Sequence, residues 1–341
     1  MKTLFEPPVL AAALALLALP ALLQAQDKKP VELRYASGAP PKGNPWAMQI
    51  ERFVAAVDEE SKGEIKIQPF LASQLGSEQD TVQQVARGRI DMGGYSTGSV
   101  ALVVPEMALL SVPGYFDSVQ QQDCVLDNHL IPIVTELFDK KGVKFLGWGE
   151  IGSIDLFGTK PFAAPKDLNG VKAAAYASKS QMVTYASLGA TAVPLGLPEW
   201  IPAFQTGMTQ VVMTPITYAL PSGLTKVAPV ATRWGMVDTP AFNLMNKGSF
   251  DRLGKPHQEA LVRAYRRSTS AQLRAEVRGF EATLWGMFQQ AGGQIVDPTA
   301  EQRAVWLKTL APNQQRIADE IGGSAKEMLA VMESGRKACA R

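Results

Sequence analysis

The sequence predicts an α/β protein of two similar lobes, braced by a long helix, and three observations carry that expectation. At 341 residues the chain is too long for one small domain, since roughly 100 to 200 residues make up each. The order helix, Gly, strand, helix, Gly, strand occurs in both halves. A stretch from His257 to Gln290 holds no Pro and only Gly279 and Gly286.

Val31 to Ala36 alternates as a strand. Asn44 followed by Pro45 reads as an N-cap with Pro in the first turn. Ile50, Phe53, Val54 and Val57 then form one apolar stripe at helical spacing, ending at Gly63, and Glu64 to Phe70 alternates as a strand. Ser77 caps a helix through Val82 and Val85 to Gly88, and Arg89 to Gly94 closes a βαβαβ run that favours a parallel sheet. In the second half Val171 to Tyr176 is a strand and Ser178 caps a helix that Gly189 stops. Thr191 to Leu195 is the next strand, Pro198 opens a helix to Gly207, and Gln210 to Thr214 is a strand. At 1.5 Å per residue, His257–Gln290 as one helix would span roughly 50 Å, enough to brace both lobes; a break near Gly279 is the alternative. A short strand around Ile295 and amphipathic helices over 299–321 and 324–337 complete the chain. The expected units are a signal peptide at 1–25, lobe I at 28–151 plus 240–279, lobe II at 152–239 plus 280–310, and a helical tail at 311–341. The cleft between lobes is the expected ligand site, because open sheets bind beyond the carboxyl ends of their strands.

Composition narrows the function. Apolar residues at 46% and charged residues at 19% fit a globular core. A net charge of +2 without long single-sign runs argues against a nucleic-acid partner. Cys124 and Cys339 stand far apart outside any CxxC spacing, and His129 and His257 are the only histidines, so neither a metal nor another cofactor is expected. Lys2, the apolar run Val9 to Leu23 and the small Ala25 read as an export signal, too short for a membrane span of about 20 residues. A periplasmic location follows, and it would allow a Cys124–Cys339 disulfide.

Gly94-Tyr95-Ser96-Thr97-Gly98 is a GxSxG after a predicted strand, as in a nucleophile elbow. An exported serine esterase using Ser96 would need His257 as base, and His257 sits at a helix start where a solvated first turn explains it. A ligand-lining loop is the better reading, and no enzyme activity is expected.

These segments together resemble the periplasmic solute-binding proteins of TRAP (tripartite ATP-independent) transporters, DctP type. The likeness rests on the Phe53–Val57 helix, Gln74-Leu75-Gly76-Ser77-Glu78, Arg87 to Gly93, Asp167-Leu168-Asn169-Gly170-Val171-Lys172, Ala190 to Pro194 and Glu199 to Gly207, in that order. The resemblance implies a type II binding-protein fold. It also implies binding of a small molecule between lobes as a monomer and delivery to a TRAP permease of small and large membrane subunits; an exported sensor subunit is the neighbouring alternative.

The family's usual ligands are organic acids held by Arg. Here the expected Arg positions read Ala174 and Ile154, and the family's Asn before Pro reads Thr214 before Pro215. A carboxylate entering a closed cleft needs a guanidinium-like partner. The expected ligand is therefore neutral or largely apolar. Tyr95, Tyr115, Tyr176, Tyr218, Trp234 and Phe242 are the expected walls, with Ser96, Ser153 and Thr214 as hydroxyl partners. Lys172, Lys179 or Arg233 could instead restore an organic-acid site, and Ala174→Arg is expected to create weak acid binding.

Overall fold

The computed structural model describes residues 29–340 except Met236 and Thr269. The predicted signal peptide lies outside the described residues. Ten strands are β1 (Val31–Ser37), β2 (Ile65–Phe70), β3 (Met92–Ser96), β4 (Val143–Gly158), β5 (Lys172–Ala175), β6 (Thr191–Pro194), β7 (Val211–Pro215), β8 (Val230–Thr232), β9 (Asp238–Asn246) and β10 (Gln294–Val296). Their order is β2-β1-β3-β9-β4-β7-β5-β6, with β8 on β4 and β10 on β8. The two parallel halves, β2-β1-β3 and β7-β5-β6, are the repeated grammar of the sequence. Antiparallel β4 and β9 join them.

Local signals explain most of the elements. Asn44 accepts from the Trp46 amide and starts helix Pro45–Glu60, and Ser77 accepts from the Asp80 amide at the head of helix Glu78–Ala86. The stripe Ile50, Phe53 and Val57 is buried on Leu33 and Tyr35 of β1.

The chain departs from expectation in two places. The brace is two helices, Lys255–Arg266 and Ser270–Gln290, parted just after Arg266 rather than at Gly279. The polar Ser268 and Ser270 favour a helix end, while Gly279 has open space around it and stays helical. The first piece packs on helix Pro45–Glu60, and the second crosses β4. Residues 299–321 likewise form two helices, Ala300–Leu310 and Asn313–Ile321, because Pro312 interrupts them.

Trp306 and Leu310 pack into the second half. Helices Asn313–Ile321 and Ser324–Ala338 return to the first, where Ile317, Met328 and Met332 join Leu109, Leu126 and Phe138. A disulfide between Cys124 and Cys339, with Cα atoms 6.0 Å apart, fastens that return. It closes a loop spanning 215 residues, so replacing both cysteines with Ser should cost about 3 kcal/mol and lower Tm by roughly 5 °C in a thermal melt, an effect that reductant reproduces in the unmodified protein.

Candidate functional site

A cavity lies where the two halves meet, with about 980 Å³ free of protein atoms including its mouth. Its floor on the first half is Trp46, whose indole N–H donates to the Ser37 hydroxyl at 3.2 Å. The ring lies against Gly94 and Gly149, where a Cβ would stand 2.6 and 1.8 Å from ring atoms, so any side chain there would expel it. The opposite wall is aromatic: Tyr176, Trp200 and Tyr218 line it, with ring centroids 5.5 and 5.7 Å apart in edge-to-face pairs.

The halves touch around this space. Asn44 Nδ2 donates to the Thr217 carbonyl at 3.0 Å, Gln79 Nε2 to the Leu195 carbonyl at 2.9 Å, and the Ser111 and Ser180 hydroxyls meet at 2.7 Å. Gly98 lies so close to the Tyr176 ring that a Cβ would be 2.6 Å from it. The described state is therefore a closed one.

Glu78, from the first turn of its helix, is the central polar group. Its Oε2 accepts from the Ser96 hydroxyl at 2.5 Å and from the Tyr176 hydroxyl, across the cleft, at 3.3 Å. Burial pushes its carboxyl above the ordinary range, against the pull of these donors. Glu150 also lines the cavity, and burial, reinforced by Asp238, raises it to about 8 despite Arg278 and Arg274. Ser99 and Thr97 anchor the loop after Ser96 by donating to the Ser96 and Pro240 carbonyls, at 3.0 and 2.6 Å.

Of the residues expected from sequence, Tyr95, Ser96, Ile154, Tyr176, Thr214 and Tyr218 line the cavity. The other five are placed elsewhere. Ala174 is fully buried with Phe157 and Trp200, on the face of β5 that aromatic rings fill. Trp234 packs on Trp306 in the core of the second half, with centroids 5.1 Å apart. Phe242 belongs to a cluster with Phe138, Phe145 and Trp148 behind β9. Half-buried Tyr115 lies under the Arg336 guanidinium, and Ser153 offers its amide to Glu281. The three candidate cations also fall outside: Lys172 is exposed, Lys179 pairs with Glu320 at 3.1 Å, and Arg233 forms a two-pronged pair with Asp297 at 2.6 and 2.7 Å.

The Ser96–His257 pairing of the esterase reading is not formed. Ser96 ends β3 beside the Ser37 end of β1, whereas His257 lies near Val31 and Leu33 at the other end of β1 and meets Glu64 at 2.6 Å. Ser96 instead bonds the Glu78 carboxyl, which also serves Tyr176, and His257 does not reach it.

Sequence reasoning missed Trp46, Trp200, Glu78 and Glu150. A signal existed for two of them: Trp46 follows the Asn-Pro cap, and Glu78 follows the Ser77 cap, so both belong to helix starts aimed at the carboxyl ends of strands.

The profile of bacterial extracellular solute-binding protein family 7 matches residues 36–320. The chain belongs to that family. This is the solute-binding family of TRAP transporters, and its members are extracytoplasmic binding proteins. A solute-binding protein of Verminephrobacter eiseniae is 28% identical over 281 residues, covering 82% of this chain and 83% of that one. The 2,3-diketo-L-gulonate-binding periplasmic protein YiaO of Escherichia coli is 26% identical over 279 residues, covering 82% and 81%. Among solved structures, the sugar acid binding protein DctPAm of Advenella mimigardefordensis with galactonate has a TM-score of 0.85 at 22% identity, covering 92% of this chain and 99% of that one. A TRAP periplasmic solute-binding protein of Roseobacter denitrificans with β-D-glucuronate has 0.81 at 22%, covering 89% and 99%. These likenesses give the two-lobed fold of TRAP binding proteins. Among the described residues no helix is long and apolar enough to cross a membrane.

The burial of Ala174 revises one expectation. Ala174→Arg should not create an acid site; it should overpack the Phe157–Trp200 cluster and bury an unpaired charge, costing roughly 4 kcal/mol. A thermal melt with and without galactonate checks this: the variant should melt lower, with no recovery by the acid.

Proposed function

We propose that this family 7 protein captures a small, uncharged organic solute carrying hydroxyl or carbonyl groups in the cavity between its lobes, and that the closed form passes it to a TRAP permease. The carrying observation is the ionisable groups of the lining: among the described residues it holds two carboxyls, Glu78 and Glu150, and no Lys, Arg or His. A carboxylate guest would lose its water and face these groups without a cation, at a cost of several kcal/mol, enough to remove micromolar affinity. The rings of Trp46, Tyr176, Trp200 and Tyr218 suit an apolar face of the solute. Thr184 and Thr239 also line the cavity, and their buried hydroxyls have no partner among the described residues, which supports a guest with hydrogen-bonding groups. The lining positions named here, including Ser96, Thr214 and Ile154, are the proposed contact set.

A second reading, an acid ligand, is favoured by the relatives, whose names and bound molecules include diketogulonate, galactonate and glucuronate. The two readings separate in one titration that follows Trp46 and Trp200 fluorescence and Tm at pH 7.5. Galactitol, galactose and neutral lactones should include a compound that raises Tm by several degrees, while galactonate and glucuronate give no shift at millimolar concentration. Micromolar binding of either acid replaces the neutral reading with the acid one.

A further inference from the structure

The site where the lobes are joined has unusual chemistry. β4 is one strand of 16 residues, yet it belongs to both halves: Val143 to Glu150 pairs with β9, and Ile154 to Gly158 pairs with β7. Between these runs the register against β9 shifts from Glu150 to Ser153, and Gly152 takes a φ of +103°. In this bulge side chains hold the backbone in place of a ladder. The Gly152 amide donates to Glu150 Oε1 at 3.0 Å and the next amide, of Ser153, to Glu281 Oε1 at 2.7 Å. The Thr217 hydroxyl donates to the Ile151 carbonyl. Glu150 comes from the first half and lines the cavity; Glu281 comes from the bracing helix Ser270–Gln290.

We propose that residues 151–153 are a carboxyl-held hinge, and that protonation of Glu150 and Glu281 holds the lobes closed. This deepens the interlobe-capture reading above and rests on its lobe closure.

The charges around the bulge are unbalanced. Glu150 faces Arg278 at 3.4 Å and Arg274 at 4.0 Å on the bracing helix, and Asp238 at the start of β9. Glu281 faces Asp238, Asp155 of β4 and Arg278 of its own helix. Both arginines are already committed: Arg278 forms a two-pronged pair with Asp123 at 2.6 and 2.9 Å, and Arg274 forms one with Asp127 at 2.6 and 3.1 Å. The helix Ile216–Ala219 brings Thr217 to the bulge. Four carboxyls, Glu150, Asp155, Asp238 and Glu281, thus crowd one crossing, and ionising all of them there is unfavourable.

Burial raises Glu150 and Glu281 to about 8 each, and Asp155 to about 7. Asp238 is raised by the same cause. Opening the cleft would return water to Glu150 and relax its neighbour toward the ordinary carboxyl value of about 4.3. The closed form therefore holds more protons than the open one. The sign follows: closure is most favoured at acid pH, declines as pH rises from about 4.3, and has lost this contribution above about 8. Each carboxyl adds up to roughly tenfold per pH unit to the open-to-closed ratio within that window. Asp155, Asp238 and the cavity carboxyl Glu78 act in the same direction, so the hinge pair supplies part of the slope.

The test is small-angle scattering of the full mature chain, without added solute, from pH 5 to pH 9, on the unmodified protein and on Glu150→Gln with Glu281→Gln. Gln keeps the acceptor oxygen and the shape while removing the titration. The radius of gyration of the unmodified protein should rise with pH, and the double variant should stay more compact at pH 8.5 with a clearly shallower rise. An unchanged slope in a double variant whose circular dichroism is native overturns the hinge, as does a flat profile in the unmodified protein. Gly98→Trp, which wedges the cleft at Tyr176, separates this failure from that of the reading beneath it. If the wedge expands the protein but pH does not, only the hinge falls; if the wedge leaves a folded protein equally compact, lobe closure itself falls.

Discussion

Strand β4 is the constraint on which the rest of the molecule depends. It is hydrogen-bonded into both halves, so the position of one lobe relative to the other is decided by the few residues where its partner register changes. β9 runs beside it in the opposite direction, and helix Ser270–Gln290 lies across it. The cleft inherits its geometry from this joint: Glu150 just before the bulge, Ile151 within it and Ile154 just after it all reach the cavity.

The cavity gains its character from what packing leaves exposed at the joint. Gly94 and Gly149 make room for the Trp46 ring, and Gly98 for the Tyr176 ring, so backbone without side chains on one lobe is matched by aromatic rings. The polar groups then converge on Glu78, whose carboxyl receives hydroxyls from both lobes. Around that buried carboxyl met by hydroxyl donors, the described lining residues include no cation, so an anionic guest would have no charge partner there.

Burial also separates this protein's chemistry from the catalytic look of its GxSxG. The strand–turn–helix geometry around Ser96 is present, but the histidine such an elbow would use lies at the far end of β1, and the group beside Ser96 is a carboxyl shared with Tyr176. The same turn serves a binding protein well, because it brings a hydroxyl and a close-packed glycine to the lobe surface.

Much of the fold was legible in the chain because its signals are local. Asn44 before Pro45, Ser77 before Glu78, and the glycines closing each helix specify element ends through their own backbone needs, and the repeated order of elements gives two α/β halves. The two-lobe pattern pointed to the cleft between the halves, and six of the expected residues line its cavity. What the chain alone could not decide is which face of an element meets the cleft. Ala174 lies on β5 and Tyr176 just past its end, two residues apart in what the sequence reads as one strand, yet the first is sealed under aromatic rings and the second reaches Glu78. Trp234 and Phe242 are as apolar as Trp46 and Trp200 but pack into cores instead. Periodicity sets the side of a strand or helix; only the docking of one lobe on another sets which part of that side remains uncovered, and that depends on contacts between residues from 69 to 173 positions apart.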